Sequence, residues 1–347
     1  RPRLDERKGR AAEDFGVGSA TNECRPLSRE TGRAREGQSR SFMPDARHAL
    51  QLSPISDRSW QQPTSYPRER GAQTSPVMPR ARGEIRADFV AHDGHTRVGR
   101  LYETGGLRLR FPKARETCEG VIVNTAGGIV GGDHARLSFS AAANASVVLT
   151  TQSAEKIYRT DGPPAQIETA LRLEQGARLE WLPQETIVYD GAEAAMQTRV
   201  ELAEGAMFCG WEILCLGRTA SGERFRNGRL DLSMRIEKAG QPLWIERGQL
   251  AGGSAWLDAA AGLAGQPVSA TLLMAGKAVA REWLDACRML PAEAGVLTGV
   301  TALPEVLVAR CLAPRTEMAR AWLSSVWEVL RPAALGRTAV PPRIWST

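Results

Sequence analysis

The stretch Asn124-Thr125-Ala126-Gly127-Gly128-Ile129-Val130-Gly131-Gly132-Asp133-His134 sets two glycine pairs beside an acid and an imidazole. Bare glycine amides can converge on an anion, so a phosphate cradle is the first chemistry to test. The details reject it. A Walker loop carries Lys and then Ser or Thr after its last glycine, whereas here Asp133 follows and would repel a phosphate. The spacing does not fit G-x-G-x-x-G either. What remains is a close-packed β turn in which glycine supplies positive φ.

Metal and nucleophile chemistry find little support in the local pattern. The four histidines are His48, His92, His95 and His134, and His92-x-x-His95 surrounds Asp93-Gly94, which reads as a turn with solvated side chains. No Cys/His cluster has the spacing of a structural zinc site. Six cysteines (Cys24, Cys118, Cys209, Cys215, Cys287, Cys311) are scattered without a CxxC pair. That usage fits reduced thiols in a cytoplasmic protein. Cys118 with His134 would be a conceivable nucleophile pair, but nothing local favours a thiolate. Paired carboxylates such as Glu185 and Asp190 leave open a β-rich carbohydrate-active enzyme. Against it, only 6% of residues are aromatic, few for sugar-binding platforms.

More informative are acids inside apolar strands. Glu212 interrupts Met207-Phe208-Cys209-Gly210-Trp211-Glu212-Ile213-Leu214-Cys215-Leu216, and Glu246 interrupts Leu243-Trp244-Ile245-Glu246-Arg247. A carboxylate in such a strand is paired, faces water, or lines an internal polar cavity.

The elements that must position these residues are mostly strands. Leu107 to Phe111, Ile167 to Leu173, Val200 to Leu202 and Leu230 to Glu237 alternate apolar and polar, and Val121 to Val123, Val147 to Leu149 and Ile213 to Leu216 are continuous apolar runs. Turns punctuate them at Gly105-Gly106, Asp161-Gly162-Pro163-Pro164, Asp190-Gly191, Asn227-Gly228 and Ala239-Gly240. Short strands at this spacing predict an all-β body: a sandwich, a barrel or a stacked-sheet solenoid. No repeated motif selects the solenoid. Two helices are predicted near the C-terminus. One spans Ala278 to Leu290 and is stopped by Pro291; the other spans Pro314 to Leu330 and is ended by Pro332. Their aromatic stripes predict core packing on the β body.

Charge divides the chain. Residues 1–82 hold 16 basic and 10 acidic side chains, so the entire formal excess of +6 lies there and residues 83–347 are formally neutral. Overall charge therefore gives no argument for nucleic-acid binding. The N-terminal segment is rich in Arg, Ser, Gly, Pro and Gln without a sustained period, so it is expected to be a disordered basic extension. It is either a flexible tail or an upstream extension that the working protein lacks. It has no apolar segment of a secretion signal. The longest uncharged stretch, Ala259 to Gly276, is interrupted by Gly262, Gly265 and Pro267 and is no convincing membrane span.

Five stretches in order resemble the UreD (UreH) family of urease accessory proteins. The first is the glycine-rich stretch, with Asn124, Thr125, Gly127, Gly128, Gly131 and Gly132. Then come Thr150-Thr151-Gln152-Ser153-Ala154-Glu155-Lys156-Ile157-Tyr158-Arg159 and Leu179-Glu180-Trp181-Leu182-Pro183-Gln184-Glu185-Thr186-Ile187. Cys215-Leu216-Gly217-Arg218 runs to Ser221-Gly222-Glu223, and Pro342-Arg343-Ile344-Trp345 closes the series. The matches span residues 83–347, expected to form one UreD-like domain, and residues 1–82 have no counterpart.

The resemblance implies a β-helix-like stack of sheets with two helices. It implies a non-catalytic chaperone for nickel insertion into apo-urease, working with a UreF-type helical partner and a UreG-type GTPase that hydrolyses the nucleotide. No tightly bound cofactor is implied, only transient Ni2+ passing along an internal tunnel. Asp133, Glu212 and Glu246 fall where acidic tunnel residues occur in the family. Sparse carboxylates suit such a conduit, because they bind nickel more weakly than imidazole or thiolate clusters. Arg343, Ile344 and Trp345 are expected to dock, either within the fold or on a partner.

Overall fold

A computed structural model describes residues 81–112 and 117–346. The expectation of disorder over residues 1–82 falls outside the described residues except at Ala81 and Arg82, and Arg82 opens the first strand.

The body is a two-sheet stack with helices against one sheet. Sheet A has seven strands, in spatial order β14 (Gln241–Ala251), β13 (Gly228–Lys238), β11 (Ala192–Leu202), β8 (Ala165–Leu173), β5 (His134–Ala141), β1 (Arg82–His92) and β2 (His95–Thr104). Sheet B runs β16 (Leu297–Leu303), β17 (Val306–Ala313), β15 (Val268–Ala275), β12 (Met207–Leu216), β9 (Arg178–Trp181), β6 (Ser146–Thr151), β4 (Cys118–Asn124) and β3 (Leu107–Arg110). Two short corner strands, β7 (Glu155–Ile157) and β10 (Thr186–Val188), pair with each other, and β10 also pairs with β12.

Between β4 and β13 the chain alternates between the sheets, and successive coils lie in parallel register. His134 sits beside Gln166, Ala165 beside Ala194, and Ala192 beside Gly228. The predicted all-β body is therefore a β-solenoid, capped by antiparallel hairpins at both ends. The coil corner repeats a local device. Asn144, Gly176 and Gly205 adopt φ of 61°, 68° and 70°, and each is followed by a fully buried alanine, Ala145, Ala177 or Ala206.

Alternation decides which side chains fill the interior. In β5, Ala135, Leu137, Phe139 and Ala141 point inward and their neighbours outward. The outward residues of sheet A form a ladder of opposite charges. Glu84 pairs with Arg86, Glu168 with Arg136, and Arg172, Glu201, Arg199, Glu237 and Arg235 follow in alternating sign across β8, β11 and β13. Strand β12 is buried on both faces, because its other side carries the helices.

The helices are α1 (Ala255–Asp258), a single turn, then α2 (Arg281–Arg288) and α3 (Thr316–Leu335). Helix α2 is shorter than its predicted span, since Ala280 is extended at ψ 143°. Helix α3 overrides the predicted stop. Pro332 lies inside it, and the end comes at Gly336, left-handed at φ 65°, whose N–H donates to the Arg331 and Pro332 carbonyls. Burying Met318, Trp322, Leu323, Val326, Trp327 and Leu330 on sheet B outweighs the one backbone hydrogen bond that proline removes in the last turns.

Candidate functional site

Between the sheets lies a cavity of about 200 Å3, room for several waters. Register explains its walls. On sheet A, Leu137, Thr169, Thr198, Met234 and Glu246 are successive partners across five strands, and all five line the cavity. On sheet B, Glu212, Thr271 and Arg310 form a matching row, of which Glu212 and Thr271 line it. Within β12, Phe208, Leu214 and Leu216 share the inner face with Glu212, while Trp211, Ile213 and Cys215 turn to the helices. Glu212 thus interrupts the inner apolar face and projects between the sheets.

The cavity brings Glu212 and Glu246 together. Burial, and then the charge of Glu246, push the Glu212 carboxyl up to about 7. Glu246 accepts a hydrogen bond from the Arg310 guanidinium, which also lies 5.8 Å from the Trp244 ring. A third acid, Glu155, lines the cavity at its corner end and was not singled out from the sequence. Asn124 donates to both of its oxygens at 3.2 Å, and burial raises its carboxyl. The polar lining consists of these carboxylates with Thr, Ser and Gln groups, and among the described residues neither His nor Cys lines it. Such oxygen donors hold a divalent cation weakly. No cluster of three or more His, Cys, Asp or Glu that could hold a metal occurs among the described residues.

Asp133 stands apart from this cavity. Its oxygens accept the N–H groups of Ala81 and Val130, both at 3.0 Å, so it braces the glycine-rich turn. That turn is the close-packed one predicted. The Thr125 N–H and hydroxyl both donate to the Gly106 carbonyl, and Gly127 and Gly132 take positive φ. At Gly128 a Cβ would strike the Tyr158 ring, and at Gly131 the Thr160 hydroxyl.

The other motif residues also tie loops together. The Gln152 N–H donates to the Ile122 carbonyl, and the Lys156 carbonyl accepts from Ile129. Gly217 packs against the backbone of Glu223 and Arg224 at φ 95°. Arg218 donates to Glu223 and stacks 4.8 Å from the Tyr189 ring, and Gly222 closes the intervening turn at φ 72°. Gln184 and Glu185 both accept from Arg320 of α3. Asp190 accepts the N–H groups of Arg226 and Asn227. The Glu185 and Asp190 carboxylates are thus engaged in separate structural bonds. His92 and His95 are exposed at the β1–β2 turn, His134 faces Glu168, and burial pushes the Cys118 thiol up to about 11, away from a thiolate.

The C-terminal segment docks within the fold. Trp345 packs 5.2 Å from Trp211 and meets the Trp327 ring edge-on at 5.8 Å, and its Nε1 donates to the Thr150 hydroxyl. Arg343 stays exposed and Ile344 is half-buried. Trp345→Ala is expected to destabilise the fold by about 1.5–3 kcal/mol. Urea denaturation reads this directly, and an unchanged midpoint would make the packing incidental.

Residues 81–346 match the family model described as UreD urease accessory protein. A urease accessory protein UreD of Dechloromonas aromatica (strain RCB) is 42% identical over 274 residues, covering 76% of this chain and 94% of the relative. The urease accessory protein UreD 2 of Pseudomonas syringae pv. syringae (strain B728a) is 43% identical over 279 residues, 80% of this chain and 99% of the relative. A UreD of Nitrosococcus oceani is 44% identical over 246 residues, 70% and 82% of the two chains.

Proposed function

The chain belongs to the UreD family of urease accessory proteins, and from that premise we propose that it is a non-catalytic chaperone which helps insert nickel into apo-urease. It works in the cytoplasm, in complex with a UreF-type partner and a UreG-type GTPase, and GTP hydrolysis belongs to the latter. No tightly bound cofactor is needed; Ni2+ is cargo. No helix among the described residues is long and apolar enough to cross a membrane.

One observation carries the nickel reading: Glu212 and Glu246 face one largely apolar internal cavity whose polar groups are mainly oxygen donors. A conduit must attract a divalent cation and let it go, and carboxylates carry the charge to attract it while releasing it more readily than imidazole or thiolate clusters would. Burial and the charge of Glu246 hold the Glu212 carboxyl near 7, and a divalent cation between the two acids would offset that repulsion. Asp133 enters this reading only at the braced turn, as an acid outside the cavity between the sheets. Residues 1–80 have no part in it, and the UreD-like unit from Ala81 onward is proposed to suffice.

The test is co-expression with urease subunits and the other accessory proteins under limiting nickel. Omitting this chain is expected to leave urease inactive, and residues 81–347 to restore both complex and activity. Glu212→Gln with Glu246→Gln should keep the complex by size-exclusion chromatography and lower urease activity several-fold. Full activity in the double variant would remove the conduit. Full activity without the chain would remove the chaperone reading altogether. The carbohydrate-enzyme alternative loses its candidate pair, since Glu185 and Asp190 are engaged elsewhere.

A further inference from the structure

The cavity has a flank that no ladder of backbone hydrogen bonds closes. Strand β14 is the last of sheet A and β16 the last of sheet B, and among the described residues no strand pairing joins them. Two ion pairs strap this side instead. Lys238 of β13 meets Glu305, in the turn between β16 and β17, at 3.0 Å, and Arg310 of β17 meets Glu246 of β14. The two straps differ in what they hold. Glu305 does not line the cavity, whereas Glu246 does.

Arg310 is half-exposed, and through Thr271 it lies on the same rung of sheet B as Glu212. Its guanidinium, bonded to Glu246 at the flank, already supplies that carboxylate with the positive charge an entering cation would bring. An exposed ion pair of this kind is held by little free energy, so it opens readily. The Trp244 ring gives the freed guanidinium a nearby cation–π surface. We propose that Arg310 is a tethered counter-cation: it neutralises Glu246 while the cavity is empty, closes the flank, and competes with entering Ni2+, keeping the grip on the cargo weak. This rests on the nickel reading and adds the residue that sets its affinity.

The test is calorimetric titration of the metal-free full chain with Ni2+ alone. Arg310→Gln is expected to tighten binding by about two- to five-fold, the effect of removing one competing surface charge. Arg310→Lys, which keeps the charge, should stay close to the unsubstituted chain. Glu246→Gln should bind weakly, and Arg310→Gln added to it should bring no gain. Unchanged or weaker binding in Arg310→Gln, a gain that survives in Glu246→Gln, or no Ni2+ uptake by any of these chains would each overturn the proposal. Urease maturation does not enter this readout. Normal maturation by the Glu212→Gln/Glu246→Gln chain would sink the conduit, while the titration alone decides the role of Arg310.

Discussion

Replacing Arg331 with methionine is expected to destabilise the protein by about 3–5 kcal/mol, more than truncating Trp345. Arg331 is 6% exposed and Glu180 2% exposed, and they meet between α3 and β9. Arg331 Nε donates to both Glu180 oxygens at 3.0 Å, Trp327 Nε1 donates to one at 2.6 Å, and the guanidinium also reaches the Thr338 carbonyl. Removing Arg331 leaves a buried carboxylate with one neutral donor and only the more distant charge of Arg337. The cost is that of an uncompensated charge rather than the net worth of the pair. The pair replaced together, Glu180→Leu with Arg331→Met, should therefore recover much of the loss. Urea unfolding of the three chains at pH 7.5 checks both statements. A loss below about 1 kcal/mol in Arg331→Met would show that water reaches Glu180 and that helix packing alone holds the layer.

Glu212→Gln should instead stabilise the metal-free chain, and only at neutral to alkaline pH. The folded carboxyl sits at about 7 against an ordinary 4.5, raised by burial and then by Glu246. A raised acid binds its proton more tightly folded than unfolded, so stability falls as pH climbs from about 4.5 to about 7, and the penalty is complete above that. At about 1.4 kcal/mol per pH unit the ceiling is near 3.5 kcal/mol, and any solvation of the carboxylate reduces it to about 1–3 kcal/mol. The melting temperatures of the two chains should thus coincide near pH 4.5 and separate by pH 8. Parallel curves across that range would mean that Glu212 is solvated like a surface acid.

Much of the fold was legible because strands announce themselves by alternation, as in Leu230 to Glu237, and turns by glycine at Asp190-Gly191 and Asn227-Gly228. The solenoid was not. Its repeat is a single small device per coil, Asn144-Ala145, Gly176-Ala177 and Gly205-Ala206, embedded in coils whose other residues differ. The dipeptides alone do not mark it, because Gly-Ala also occurs elsewhere in the chain, as at Gly191-Ala192. Pro332 misled because a proline near a helix end removes only one bond, and packing of Trp327 and Leu330 outweighs it.

Within the site, Glu212 and Glu246 stood out as acids in apolar strands, and they share the cavity. Glu155 gave no such signal, since it sits in a polar segment and reaches the cavity only through the corner pairing of β7 with β10. Asp133 looked equivalent to the other two in sequence, yet its oxygens are committed to backbone amides, Val130 in the turn and Ala81 before β1. Glu180 and Arg331 lie 151 residues apart, a separation across which no local pattern can report a partner.

The charge ladder on the outside of sheet A bears on how the molecule meets others. A broad, flat sheet face invites lamination by a second sheet, the geometry of cross-β assemblies. Here, stacking anything on that face would require stripping water from alternating guanidinium and carboxylate groups along several strands. Because the signs alternate, the face also presents little net field to steer a charged visitor toward it. The ladder makes the wide side of the molecule a hydrated, electrically quiet wall.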